Sequence, residues 1–263
     1  MSKFSVEKIR ENKLEIAEEN KWLLSEYESI CKGMGHYIEH KAPYFLSVDE
    51  TFNKSNFRIM IFGQDTNGWG NEFANISGKP SPEDLMKLYG RVVNEDWGTG
   101  SMFWQFYSAI RENFKETPNV SVIANNLRKN ICEDESNQVV ADREIELIKS
   151  EISIIKPDFY LSTTGVKSVF ENRIRSVFGD FEERMIDDSV HLSQLIFGDE
   201  NIKFYRCDHP IRINVASKQR QKWNEVVNIL LNEIVQAIAN RKLALCKSSA
   251  SLPSASSVAT ARC

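Results

Sequence analysis

One stretch constrains this chain more than any other: Phe57-Arg58-Ile59-Met60-Ile61-Phe62, followed at once by Gly63-Gln64-Asp65-Thr66-Asn67-Gly68-Trp69-Gly70. An apolar run of this length, cut off by turn-forming residues, predicts a strand buried on both faces of a parallel sheet. Open α/β sheets hold their ligands outside the carboxyl ends of the strands. Asp65 is therefore expected at the mouth of a site rather than in the core.

The rest of the chain alternates in the same way. Residues 5–32 carry Ile9, Leu14, Ile16, Trp22, Leu23, Leu24 and Tyr27 among Glu and Lys, a helical apolar stripe that Gly33 and Gly35 close. Strands are expected at 57–63, 120–124, 159–162 and 202–207. A helix starts at Ser81-Pro82-Glu83, with Ser81 as N-cap and Pro82 in the first turn. Further helices are expected from Met102 to Phe114, over 141–156 up to Pro157, from about 165 to Phe178, and from about Ser217 to Ala239. Segment 180–200 is expected to be loop with one short element. Strands alternating with helices build right-handed crossovers, hence a parallel four-stranded sheet with helices on both faces. The expected organisation is an N-terminal helical segment (1–45) packed on an α/β domain (46–242). A Ser- and Ala-rich tail (243–263) without periodicity is expected to be disordered.

A chain of 263 residues can bury a substantial core. Its net charge of −4 gives no global attraction to nucleic acid or anionic membrane, so any phosphate binding must be local. No apolar run reaches the length of a membrane span and none resembles a signal core, which predicts a cytoplasmic protein without a membrane partner. Five scattered cysteines (Cys31, Cys132, Cys207, Cys246, Cys263) form no CxxC, so neither a disulfide framework nor a metal site is expected.

Four strand ends carry polar residues: Gln64-Asp65, Asn125-Asn126, Thr163-Thr164 and Asp208-His209. In a parallel sheet they share one edge. An acid, an amide and a histidine there can polarise water, read the edge of a heterocycle and stabilise a developing anion. Each also has a plainer role: Asp65 as a turn cap, Asn126 in a left-handed position, His209 as a strand terminator before Pro210.

In order and spacing, these pieces resemble the uracil-DNA glycosylase superfamily. Gly63-Gln64-Asp65 resembles the start of its first motif, Gly-Gln-Asp-Pro-Tyr-His. Val122-Ile123-Ala124-Asn125-Asn126-Leu127 resembles the strand ending in its base-reading Asn, and His209-Pro210 the start of its second motif. Phe103-Trp104 resembles a pair in the mismatch-specific branch, and Gly-Gln-Asp-Thr-Asn-Gly-Trp is closest to a divergent branch. The resemblance covers roughly 57–225. It implies a three-layer α/β/α sandwich on a four-stranded parallel sheet and a base-excision DNA glycosylase, without cofactor or metal; the sequence leaves the oligomeric state open, with a monomer favoured. Such an enzyme flips a damaged base out of single- or double-stranded DNA and cuts its N-glycosidic bond. Asp65 then orients water and balances the positive sugar, and His209 stabilises the departing base anion. Asn126 reads the pyrimidine edge and the Gln64 N–H adds to the anion site. Trp97, Phe103, Trp69 and Phe73 are candidates for stacking on the base, with core packing the alternative for Phe103.

The chain departs from the pattern in two places. Asn67 replaces the Tyr that bars thymine's methyl group. The second motif reads His209-Pro210-Ile211-Arg212-Ile213-Asn214, which places Ile213 at the duplex wedge and Arg212 within reach of phosphate. From Arg212 to Lys222 four cations (Arg212, Lys218, Arg220, Lys222) occur without an acid. Cations at a helix start oppose the dipole, and phosphate would compensate them. The same residues are also compatible with a catalytically inactive nucleobase-binding module, or with a hydrolase of free nucleosides, which the negative net charge suits.

Overall fold

The computed structural model describes residues 17–32, 42–64, 69, 80–94, 101–117, 119–129, 138–166, 168–198, 202–210 and 219–250. Among them, helices α1 (Glu18–Lys32), α2 (Glu50–Lys54), α3 (Pro82–Asn94), α4 (Met102–Phe114), α5 (Gln138–Ile155), α6 (Ser168–Phe178) and α7 (Gln219–Ala250) surround one sheet. Its strands are β1 (Phe57–Gly63), β2 (Val120–Asn126), β3 (Phe159–Ser162), β4 (Phe181–Asp187), β5 (Leu192–Phe197) and β6 (Lys203–Arg206), in the order β2-β1-β3-β6-β5-β4.

β2, β1, β3 and β6 are mutually parallel. The expected four-stranded parallel sheet is thus part of a larger mixed one, because 181–197 forms an antiparallel hairpin on β6. That hairpin falls where mostly loop was expected. β4 reads Phe-Glu-Glu-Arg-Met-Ile-Asp with its five central residues exposed, so no apolar run marks it. Its turn uses a short 3₁₀ segment and His191 in the left-handed region (φ 46°).

The pleat decides which residues face which helices. Met60, Phe62, Asn125, Tyr160 and Phe204 share one face. Phe178 of α6 packs edge-on against Phe62, Tyr160 and Phe204, whose rings stack along the sheet. Gly63, Asn126 and Tyr205 take the opposite face. There α4 and α7 meet through Phe106 and Trp223, and the Tyr205 hydroxyl donates to Glu233 of α7.

Local chemistry sets the boundaries. The Ser81 hydroxyl accepts the Asp84 N–H and the Asp84 carboxylate accepts the Ser81 N–H, a reciprocal cap at the start of α3. α7 runs past the expected Ala239 to Ala250. Residues 42–48 form a buried extended strap. Asn20 holds it by both polar atoms of Val48, and the Ser47 hydroxyl donates to the Met86 carbonyl.

β2 is an outer strand, and tyrosines occupy its free side. The Tyr89 hydroxyl accepts the Ala124 N–H (3.1 Å) and donates to the Ala124 carbonyl (2.9 Å), while Tyr107 donates to the Val122 carbonyl. Side chains thus replace a neighbouring strand and blunt the edge. Tyr89→Phe leaves both Ala124 groups buried without a partner. Urea denaturation is expected to show a loss of about 1–3 kcal/mol, and unchanged stability would refute this edge-sealing role.

Candidate functional site

In the order β2-β1-β3-β6 the chain leaves β1 in one direction for β2 and returns across it to β3. The reversal lies between β1 and β3, and a crevice at such a switch point is where doubly wound sheets take ligands. Gly63-Gln64 lines one side of it and Thr163-Thr164-Gly165 the other. Gln64 spans the gap, its Nε2 donating to the Thr164 carbonyl (3.1 Å).

On the β2 side, Gly63 lies in register with Asn126. The absence of a Cβ at Gly63 is a packing requirement. A methyl there would overlap Asn126 Oδ1 and come within 3.0 Å of the Phe103 ring. The Asn126 amide oxygen and the Phe103 ring thus both crowd the space beside Gly63 at one strand end. Asn126 is 4% exposed. Its N–H is held by Asn125 Oδ1 (2.8 Å).

The adjacent Asn125 faces the other side of the pleat and enters a buried charge network. The Lys129 ammonium lies 2.6 Å from the Glu151 carboxylate, both side chains wholly buried. Glu151 also accepts from the Tyr27 hydroxyl (2.7 Å) and from Asn125 Nδ2 (3.0 Å), and Lys129 donates to Asn125 Oδ1. Burial pushes the Lys129 ammonium down from its usual value and Glu151 opposes it. Burial and the Glu151 charge push the Tyr27 hydroxyl well up. The carboxylate, the ammonium and a helix-borne phenol thus lock the residue that fixes the Asn126 backbone.

On the β6 side, Gly165 adopts φ +65°, its N–H donates to the Cys207 carbonyl, and Asp208 Oδ1 fills the space a Cβ would need. Asp208 lies 3.9 Å from His191 Nε2. His209 follows, half-buried, before Pro210. Burial pushes the Cys207 thiol up, away from nucleophilic use. The hydroxyls of Ser162 and Thr164 bond each other and Thr163 donates to the Phe62 carbonyl, so these three serve the turn.

Of the residues the sequence singles out, Gln64, Asn126, Phe103 and His209 fall on this one sheet edge, and Asn126 and Phe103 touch the same glycine. Trp69 is no stacking candidate: its indole N–H donates to the Pro43 carbonyl and its ring packs on Tyr44 in the core. Asp65, Asn67, Phe73, Trp97, Arg212, Ile213 and Lys218 lie outside the described residues, as does the side chain of Arg220. Sequence reading missed Lys129 and Glu151, whose charges carry no mark of burial, and His191, hidden in a segment read as loop; it took Tyr27 only as part of an apolar stripe, not as a partner of Glu151. Among the described residues no group of three or more His, Cys, Asp or Glu is placed to hold a metal ion. No described helix is long and apolar enough to cross a membrane. A groove of about 350 Å³ opens at the opposite end of β2, beside Thr51, Asn94, Arg111 and Val120, remote from these residues.

No protein-family model matches the chain, and no curated protein matches it.

Gly63→Ala tests the tight corner. Denaturation is expected to show a loss of about 1–3 kcal/mol from overpacking, part of which Phe103→Leu in the same chain restores. A Gly63→Ala protein as stable as wild type would contradict the packing described here.

Proposed function

We propose that the cleft at the carboxyl edge takes a nucleobase, and that the protein is a DNA glycosylase of the uracil-DNA glycosylase type, hydrolysing the N-glycosidic bond of uracil or another damaged base. The observation that carries this reading is the Asn126 amide. The residue is almost fully buried, and its Oδ1 sits at a strand end beside Gly63, where the Phe103 ring also packs. A side-chain amide offers one acceptor and two donors, and so can match a ligand edge that presents one donor and one acceptor. A pyrimidine edge presents that pair.

The spacing supports the same reading. Three strand intervals of ~4.8 Å separate the ends of β2 and β6. An amide and an imidazole reaching inward from those ends narrow the span to about one planar ring. Within this proposal Asn126 reads the base edge, and His209 hydrogen-bonds the leaving base and stabilises its developing negative charge. Asp65, one residue beyond the crevice-spanning Gln64, orients the attacking water and balances the oxocarbenium-like sugar. Phe103 walls the pocket at Gly63. The cations from Arg212 to Lys222 hold phosphate beside His209, with Ile213 as the wedge that fills the gap left by the flipped base.

A second reading, nucleobase binding without cleavage, draws support from Asn67 in place of the motif's Tyr and from the altered residues after Pro210.

A panel of oligonucleotides carrying uracil, hypoxanthine or alkylated bases separates the two. Wild type is expected to leave abasic sites. Asp65→Asn abolishes them, and His209→Ala lowers the rate by ~10²–10³, the usual effect of losing one preorganised donor. Folded protein that cleaves nothing in the panel but is thermally stabilised by a free base would favour the binding module. A folded protein that shows no cleavage of the panel and no stabilisation by a free base would overturn the proposal.

A further inference from the structure

β4 closes the sheet on the side opposite β2, and the two outer strands are treated differently. Tyrosine hydroxyls seal β2. Among the described residues nothing pairs with the outer side of β4. Its central residues are exposed on both faces, Met185 at 45% and Ile186 at 38%. Ile196, on the neighbouring strand, adds an exposed apolar side chain to the same hairpin. An open edge of this kind is a template for another strand.

The sequence of β4 selects the partner. Pairing with β5 is regular from Phe181 to Met185, and a register shift follows between Met185 and Asp187. The straight edge therefore has five residues, with Glu183 at its centre. A two-fold axis through Glu183 sets two copies antiparallel. It places Glu182 of each opposite Arg184 of the other, and Phe181 opposite Met185. Opposite charges and apolar groups directly across an antiparallel pair each stabilise it.

The one unfavourable match is Glu183 facing its own copy. That carboxylate is turned inward instead: it accepts from Arg206 Nη2 and from the Ser193 hydroxyl. Burial alone would raise it, but the Arg206 and Ser193 hydrogen bonds together hold it below its ordinary range. The Arg206 guanidinium, itself 1% exposed, draws the charge away from the edge. On the other face Arg184 contacts Gln194 of its own hairpin and remains exposed.

We infer that the protein forms an isologous dimer in which the β4 strands of two copies pair antiparallel about Glu183, joining their sheets into one. The paired edge is the outer side of β4, at the opposite side of the sheet from Gly63 and Asn126.

Sedimentation equilibrium of the full chain, from about 1 to about 100 µM, tests this. Wild type is expected to approach twice the 30.2 kDa chain mass. Arg184→Glu puts like charges in register twice, as does Glu182→Arg, and each single variant is expected to weaken association at least ~10-fold. The double exchange Glu182→Arg with Arg184→Glu restores the opposition and should return the dimer. Both side chains project from an exposed strand, and circular dichroism confirms that each variant is folded. A wild type that stays monomeric throughout, a dimer indifferent to both single reversals, or a double exchange no better than the singles would each overturn the inference.

Discussion

The buried contact between Lys129 and Glu151 ties together more of this molecule than any other. It joins the residues just after β2 to α5, and through the Tyr27 hydroxyl to α1. The Lys129 ammonium also reaches the Tyr44 carbonyl, and the Tyr27 hydroxyl bonds Leu46, so the buried strap is held by the same groups. An ion pair with no exposure survives only when its remaining hydrogen-bonding positions are filled. Here Asn125, Tyr27 and the strap carbonyl fill them. Removing one member of such a pair typically costs about 3–5 kcal/mol, because the other is left charged and dry. An apolar core would pack as well. The polar one also fixes the register of the β2 end, since Asn125 answers both charges and still accepts the Asn126 N–H.

From that point the pleat does the rest. Consecutive asparagines on a strand point to opposite faces. Asn125 is spent on the foundation and Asn126 takes the opposite face. Gly63 opposite it, lacking a Cβ, lets the amide and the Phe103 ring close on the same corner. Gly165 does the equivalent for Asp208 at β6. Two glycines on adjoining strands thus open space at the edge where the sheet order reverses, and Gln64 bridges the space between them.

Much of this was legible in the sequence where punctuation was strong. β1 begins and ends at the expected residues because Gly63 stops an unbroken apolar run. α4 and β3 match as well, and Ser81-Pro82 marks α3. β4 was not legible, because an outer strand exposed on both faces has no apolar period to detect. Lys129 and Glu151 read as surface charges, for only their partners in space reveal them as core. Strand ends and motif order singled out Asn126, Phe103, Gln64 and His209, which the fold brings to one sheet edge. Trp69 misled, since an aromatic beside a motif looks the same whether it stacks on a ligand or on Tyr44.

The central proposal is that these strand ends form one ligand site with Asn126 as its reader. Nitrogen-labelled protein titrated with uracil tests it by nuclear magnetic resonance. The side-chain amides of Asn126 and Gln64 should shift together along one saturating curve, and His209→Ala should weaken that curve. An Asn126 amide that does not move while the protein remains folded would contradict the account.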